Sequence, residues 1–200
     1  MRHMGKTKVD RRVLRSKLAL KEALLSLMAG KSFSQVSITE IVEKANYNRG
    51  TFYTHYENKE ALLDEVLGEL IEELIAAFRA PYDQVELFKV EEMPATAVKL
   101  FEHIYSRREA YTVLFQSDVL PMVKEKMFSA VKRISNEDLE HETTDPINRE
   151  LMQAYSMNAL MGLVFHWIEG GFQYEPAYMQ EQLVLILNYR PGAARTHVRK

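Results

Sequence analysis

The sequence predicts an all-α protein of about nine helices. Three observations support this fold class: apolar residues recur at helical rather than alternating spacing, Gly and Pro are sparse, and no internal repeat or low-complexity segment appears. The chain of 200 residues contains no cysteine, which excludes disulfide bonds, thiolate metal sites and cysteine nucleophiles.

The charges are divided unevenly along the chain. Residues 1–60 carry twelve Lys and Arg against six Asp and Glu, whereas residues 61–200 carry fourteen against twenty-two. A basic head on an acidic body is typical of a protein that meets a polyanion at one end only. A solvated basic surface without a nucleic-acid partner would give the same count.

The first helix follows a basic N-terminal arm and ends near Gly30, a residue type that commonly follows a helix C-terminus. Its predicted apolar stripe consists of Leu14, Leu18, Leu25 and Met28.

Two short helices come next. Ser37 and Glu40 have the spacing of a capping box, which predicts the start of the second helix. Asn46-Tyr47-Asn48 then breaks the apolar pattern, and Asn48 can cap a third helix that runs from Arg49 to about Tyr56. Two short helices joined by a three-residue turn form a helix-turn-helix.

The third helix has two distinct faces. Phe52 and Tyr56 are four residues apart and are expected to pack inward. Arg49, Gly50, Tyr53 and Thr54 form the opposite face. The small Gly50 leaves room for close approach to the backbone, and a DNA major groove is wide enough to accept such a helix.

The remaining elements are marked by caps and breakers. Asn58 caps a fourth helix that runs to about Arg79, residues 81–94 form a connector, and Gly170-Gly171 ends the penultimate helix. Later helix starts are predicted near Pro94, Pro121, Asp145-Pro146 and Pro176. Residues 190–200 are expected to form a frayed basic tail.

The segment from Leu151 to Ile168 carries no charged residue. A helix that is apolar on all sides is expected to be buried on all sides. A membrane span is disfavoured because polar residues such as Gln153 and Ser156 interrupt it, and the N-terminus lacks the features of a secretory signal, so a cytoplasmic protein is expected. Either one face meets a partner subunit, or the whole helix lies in one monomer core.

One run of residues resembles a known family. The pattern Arg49-Gly-Thr-Phe-Tyr-x-His-Tyr-x-x-Lys59-x-x-Leu-Leu resembles the DNA-binding segment of TetR-type (tetracycline repressor-like) transcriptional regulators. The resemblance covers residues 11–70. It departs from the family at the turn, which commonly reads Ala-Gly-Val-Ser and here reads Ala45-Asn-Tyr-Asn48.

The resemblance implies a set of DNA contacts. Arg49 and Thr54 are expected to read bases, and Lys59 is expected to anchor a phosphate. The full set is Arg11, Arg12, Ser37, Thr39, Asn48, Arg49, Gly50, Thr51, Tyr53, Thr54, His55 and Lys59.

The resemblance also implies a ligand-responsive repressor that binds a palindromic operator as a homodimer. The last two helices, about 147–169 and 176–188, would pair with their copies and place two heads about 34–36 Å apart. The predicted domains are a DNA-binding head at 1–58 and a ligand-binding and dimerisation body at 59–189. The alternative is a TetR-like helical protein-interaction module or coactivator.

An unknown small apolar ligand is expected in the body, because Met and aromatic residues are abundant there. Core packing is the alternative role for each of them. The candidates are Phe101, Tyr105, Tyr111, Phe115, Met127, Tyr155, Asn158, Met161, Phe165 and His166. No phosphate-binding loop, metalloprotease motif or nucleophile elbow is present, so no catalytic residue, metal or cofactor is predicted.

Overall fold

The computed structural model describes residues 11–83, 85–87, 89–139 and 146–189. The N-terminal arm before Arg11, the helix start predicted at Asp145 and the tail at 190–200 lie outside these ranges. Within them the chain forms nine α-helices and no strand, which confirms the predicted fold class. The helices are α1 Arg11–Met28, α2 Ile38–Lys44, α3 Arg49–His55, α4 Lys59–Arg79, α5 Leu100–Ser106, α6 Arg108–Phe115, α7 Leu120–Asp138, α8 Arg149–Glu169 and α9 Pro176–Leu187.

Three side-chain caps start helices where the sequence predicted. Ser37 and Glu40 form the capping box of α2, with each side chain accepting the other residue's backbone N–H. Asn48 accepts the N–H of Thr51 at the start of α3, and Asn58 caps α4 in the same way. Each cap pairs an N–H group that has no partner within its helix.

The turn between α2 and α3 depends on Asn46. Its φ is 57°, in the left-handed region where asparagine is tolerated better than most residues. The turn therefore keeps the required geometry without glycine.

The buried stripe of α1 differs from the prediction at its start. Leu14 and Leu18 are 55% and 54% exposed, whereas Leu20 and Leu24 are fully buried. The buried face includes Ser16. Ser16 and Leu18 are two residues apart, so their side chains point about 200° apart around the helix. This face packs on α2, α3, α4 and α6.

The core of the body surrounds Trp167 on α8. Its ring is fully buried, meets Phe101 and Phe172 edge-on at 5.4 and 5.1 Å, and its Nε1 donates to the Tyr174 carbonyl. These contacts hold α5, α8 and the α8–α9 turn together. The same hydrophobic core continues into the head.

The later helix boundaries follow the predicted breakers with two differences. α8 begins three residues after Pro146, because Asn148 caps it by accepting the N–H of Leu151. Pro94 starts only a 3₁₀ turn, Ala95–Ala97, and α5 follows at Leu100. α9 begins at Pro176 as predicted.

One side of α8 is exposed in the single chain, so the helix does not lie wholly within one monomer core. Leu151 is 68% exposed and Tyr155 is 77% exposed, and Gly162 and His166 continue the same side. On α9, Leu185 and its neighbours are also exposed. No helix in the described ranges is both long and apolar enough to cross a bilayer.

Candidate nucleic-acid interface

The third helix has the two faces that its sequence predicted. Phe52 is fully buried and Tyr56 is 4% exposed, and their ring centroids lie 5.7 Å apart. On the other face Arg49 and Thr54 are exposed, and Tyr53 is 53% exposed. The inward aromatic pair fixes the rotation of the helix, so its outer face is held toward solvent.

The outer face of α3 and the start of α1 enclose an open groove, here called the head groove. Among the described residues that line it are two arginines and no carboxylate, so this lining favours an anion. The lining residues are Arg12, Val13, Arg15, Ser16, Tyr47, Gly50, Thr51, Thr54 and His55. Arg15 is not among the DNA contacts predicted from the sequence, although its spacing of three residues from Arg12 on one helix is a signal that indicates the same face.

His55 joins α3 to α1. Its Nε2 lies 2.7 Å from the hydroxyl oxygen of Ser16. That hydroxyl also lies 3.0 Å from the carbonyl oxygens of Arg12 and Val13, so its own hydrogen is directed at the backbone. The serine oxygen therefore accepts from His55 Nε2–H, and half-buried His55 sets the distance between the two helices that line the groove.

The groove's hydroxyl groups lie along α3. Thr54 Oγ1 donates to the carbonyl of Gly50 at 2.9 Å, which leaves its oxygen lone pairs facing outward. Thr51 is tied to the Asn48 cap through its backbone N–H and its hydroxyl. A Cβ on Gly50 would lie 3.2 Å from Asn48 Oδ1, so glycine at this position also protects the cap.

The start of α2 presents Thr39 to solvent, whereas Ser37 is occupied by the capping box. Glu40 is held by hydrogen bonds from Lys31 and from Ser37, which lower the pKa of its carboxyl from 4.5 to about 2. The carboxylate therefore stays ionised at neutral pH and holds the start of the helix in place.

Lys59 does not have the surroundings expected of a phosphate anchor. Its ammonium donates to the carbonyls of Phe33, Ser34 and Val36 at 2.9, 3.0 and 2.8 Å. An ammonium has three N–H donors, and all three are used. The resemblance placed Lys59 on DNA, but the tertiary structure brings the 3₁₀ turn Phe33–Gln35 against it.

The ten candidate ligand residues in the body do not converge on one cavity. Half of them are packed in the core: Phe101, Tyr111, Phe115, Met127 and Met161. Tyr105 and Phe165 are half-buried against that core.

The other three candidates, Tyr155, Asn158 and His166, lie on the exposed side of α8. Asn158 donates to the carbonyl of Ala154 on its own helix. Periodicity identified the apolar helix but not which of its sides turned inward, because both sides are uncharged.

An apolar cavity lies elsewhere in the body. Its volume is about 220 Å³, and the ends of α4, α7 and α9 and the first half of α8 form its walls. Phe78, Met157, Leu160 and Leu183 contribute apolar surface, and the buried Ser135 adds a hydroxyl. None of the described lining residues is charged, and none of the ten candidates is among them.

Metal chemistry has no support in the described part of the chain. No group of three or more His, Asp or Glu side chains is placed there to hold an ion.

Two family models match the chain. One, described as "Bacterial regulatory proteins, tetR family", matches residues 20–66, and the other, described as "Transcriptional regulator C-terminal region", matches residues 91–189. A curated relative, the uncharacterized HTH-type transcriptional regulator YxbF of Bacillus subtilis (strain 168), is 27% identical over 183 residues. That alignment covers 91% of this chain but only 47% of YxbF, so the chain spans about half the length of this relative.

Solved structures share the fold. A TetR transcriptional regulator from Streptococcus agalactiae 2603V has a TM-score of 0.58 at 22% identity, with 90% of this chain and 97% of that chain covered. The dihydroxyacetone kinase operon activator DhaS has a TM-score of 0.52 at 16% identity, with 86% and 93% covered. The matched family and relatives are regulators of transcription rather than enzymes, in agreement with the sequence prediction.

Proposed function

The chain belongs to the TetR family of DNA-binding bacterial regulatory proteins, and on that premise we propose that it represses transcription by binding a palindromic operator as a homodimer. The observation that carries this proposal is the head groove, where the exposed face of α3 lies beside the arginines of α1. A protein that binds an operator works where the DNA is, so the proposed location is the cytoplasm.

The proposed DNA contacts fall into two classes, contacts to base edges and contacts to phosphates. Arg49 and Thr54 project from α3 into solvent and can reach base edges in a major groove. Arg15 and Thr39 lie on neighbouring helices, where cation and hydroxyl contacts to phosphates would fix the register of the head.

The exposed side of α8 supports the proposed homodimer. Leu151, Tyr155, Gly162 and His166 are exposed, none of them is Asp, Glu, Lys or Arg, and a Cβ on Gly162 would meet nothing within 4 Å in the single chain. An uncharged face with a small residue allows a second helix to approach closely. Two heads joined in this way would read two half-sites, which gives the selectivity that one head lacks.

The cavity supports a response to a small uncharged apolar molecule. Phe78 lies near the end of α4, and Lys59 starts the same helix 19 residues earlier, about 28 Å away. A ligand that fills the cavity would press on α4 and change the spacing of the heads. It would release DNA only if it bound one spacing more tightly than the other.

DNA binding can be tested by a mobility shift with duplexes selected from a random-sequence library. We expect a salt-dependent complex in which two protein chains bind one duplex. With two or three phosphate contacts per subunit, the slope of log K against log[salt] should be roughly −4 to −5. A chain that selects no duplex even at low salt would rule out the proposal.

The second candidate is a TetR-like interaction module or activator, and it has one specific support. DhaS, which shares the fold, is named as an operon activator. A reporter placed behind the selected duplex separates the two functions, because a repressor lowers expression and an activator raises it. A chain that selects no duplex would favour the interaction module.

Ligand binding can be tested by thermal shift with neutral lipophilic compounds. We expect some of them to raise the melting temperature of the wild type but not that of Leu160→Trp, whose indole would fill the cavity. Leu163→Trp is the matched control, because Leu163 is half-buried on the same helix but does not line the cavity. Equal shifts in both variants would show that the compounds bind elsewhere.

A further inference from the structure

One residue of the body holds the head from outside the DNA-facing surface. Asp118 lies between α6 and α7, and its two carboxylate oxygens accept the N–H groups of Phe33 and Ser34 at 2.7 and 3.1 Å. The partners are 85 and 84 residues apart in the chain. Partial desolvation raises the pKa of Asp118, but the hydrogen bonds from Ser34 and Phe33 lower it by more, so the carboxyl is ionised at neutral pH.

The same turn is held at its other end by Lys59. While Asp118 accepts the turn's N–H groups, the Lys59 ammonium donates to the carbonyls of Phe33, Ser34 and Val36. The Phe33 and Val36 side chains are buried, so the turn is also fixed by packing. We call Asp118, residues 33–36 and Lys59 the body–head tie.

The tie ends where α2 begins. Ser37, the capping residue of α2, directly follows Val36. A displacement of the turn would therefore move the start of α2, and with it Thr39 and the turn that leads into α3. Asp118 is an exposed side chain, so burial of apolar surface does not account for this arrangement.

We infer that Asp118 is a positioning residue for DNA binding, which sets the angle of the head on the body through the 33–36 turn and Lys59. The inference rests on the proposed function, because it concerns how the head meets DNA. It also assigns Lys59 to the tie in place of the phosphate contact implied by the family resemblance. The α6–α7 corner packs against helices of the body, so a change in the body reaches the head through this contact.

The test measures operator affinity and its salt dependence for Asp118→Asn, Lys59→Met and the double variant, on a duplex selected by the wild type. We expect each single variant to bind roughly tenfold more weakly, the loss typical of one charge-assisted hydrogen bond. The double variant should bind no more weakly than whichever single variant binds operator more weakly, because both substitutions disrupt the same body–head tie. Asp118→Glu, which keeps the carboxylate, should restore part of the affinity.

The salt slope separates the tie from a phosphate contact. Each lost phosphate contact would reduce the magnitude of the slope by about 0.9. We expect the slope to be the same in either single variant as in the wild type. A reduced slope in Lys59→Met would indicate that Lys59 contacts a phosphate and would overturn the inference. Losses that add in the double variant, or unchanged affinity in Asp118→Asn, would also overturn it.

The matched control is Asp138→Asn. Asp138 lies at the other end of α7, about 28 Å away, and is likewise an exposed aspartate held by hydrogen bonds, here from Arg79. Its substitution should leave operator affinity unchanged.

Amide hydrogen exchange tests the tie without DNA. Exchange at Phe33 and Ser34 should be faster in Asp118→Asn than in the wild type, and equal rates would overturn the inference. If the wild type binds no DNA, the proposed function fails while the exchange result still decides whether the tie exists.

Discussion

The head and the body both expose helix surfaces, but the side chains on these surfaces differ in charge and polarity. In the head groove, α1 and α3 present arginine and hydroxyl groups. On the body, α8 and α9 present Leu151, Tyr155 and Leu185 with no charge among them. A helix surface rich in cations suits a polyanion, whereas an uncharged apolar one suits another protein surface. The two surfaces therefore match the two partners proposed above, DNA and a second copy of the chain.

The two regions also differ in how polar groups are held. Glu40 in the head has a pKa of about 2, and Asp118, which joins the body to the head, has a lowered pKa, so both carboxylates keep their hydrogen bonds into acid. In the body, His103 is 9% exposed, and its Nε2 lies 3.1 Å from the Tyr111 hydroxyl. The body therefore buries its polar pair, whereas the Glu40 and Asp118 carboxylates lie at or near the surface.

The largest expected effect comes from placing charge on the apolar side of α8. Tyr155→Arg would put two cations face to face in the proposed dimer, so we expect monomers by analytical ultracentrifugation. Operator affinity should fall by roughly a hundredfold, since the second head would no longer bind intramolecularly.

Glu125→Arg is the matched control for that substitution. Glu125 is exposed on α7 and lies outside the proposed α8 and α9 interface helices, so its variant should remain a dimer with operator affinity close to that of the wild type. If Tyr155→Arg remained a dimer, the dimer interface would lie elsewhere, and the exposed side of α8 would not be the surface that binds a second copy.

A smaller effect is expected from Arg49→Ala in the head. If Arg49 reads a base, the variant should lose roughly 1–3 kcal/mol of operator affinity and discriminate less well between the operator and duplexes changed at one position. Fluorescence anisotropy with both kinds of duplex measures this. Arg133→Ala removes an equally exposed arginine from α7 and should change neither quantity. Uniform weakening on all duplexes would make Arg49 a phosphate contact.

The smallest effect concerns pH. Burial lowers the pKa of His103 below its ordinary 6.5, with Arg107 acting in the same direction, while Glu73 and the Leu70 backbone raise it. Its neutral form therefore stabilises the fold fully above pH 6.5, and this contribution is lost as pH falls. Urea unfolding should give a lower free energy at pH 5.5 than at 7.5.

His103→Gln should reduce that pH dependence. Tyr111→Phe is the control, because it removes the hydroxyl but keeps the imidazole buried, so its pH dependence should remain. If the free energy of unfolding of His103→Gln depended on pH as strongly as that of the wild type, the pH dependence would come from other groups.

Local signals in the sequence predicted the starts of α2, α3 and α4 and the inward face of α3. The capping residues Ser37, Asn48 and Asn58 start α2, α3 and α4 where expected, and the four-residue spacing of Phe52 and Tyr56 identified the inward face of α3. These signals act within one or two helical turns, so neighbouring residues contain them. The start of α1 was predicted less well, because the buried face there includes Ser16, a polar residue bonded to His55.

The sequence by itself determined the helical class, the helix boundaries of the head and the faces of α3, because caps and periodicity depend on residues close in the chain. Only the tertiary structure decided which side of α8 is buried, where the apolar cavity lies and what Lys59 contacts. Between Leu151 and Ile168, α8 carries no Asp, Glu, Lys or Arg on any side, so its sequence pattern has no preferred face until other helices pack on it. Lys59 donates to the carbonyl of Val36, 23 residues away in the chain, and Asp118 accepts the N–H of Phe33, 85 residues away. No local sequence pattern encodes contacts over such separations.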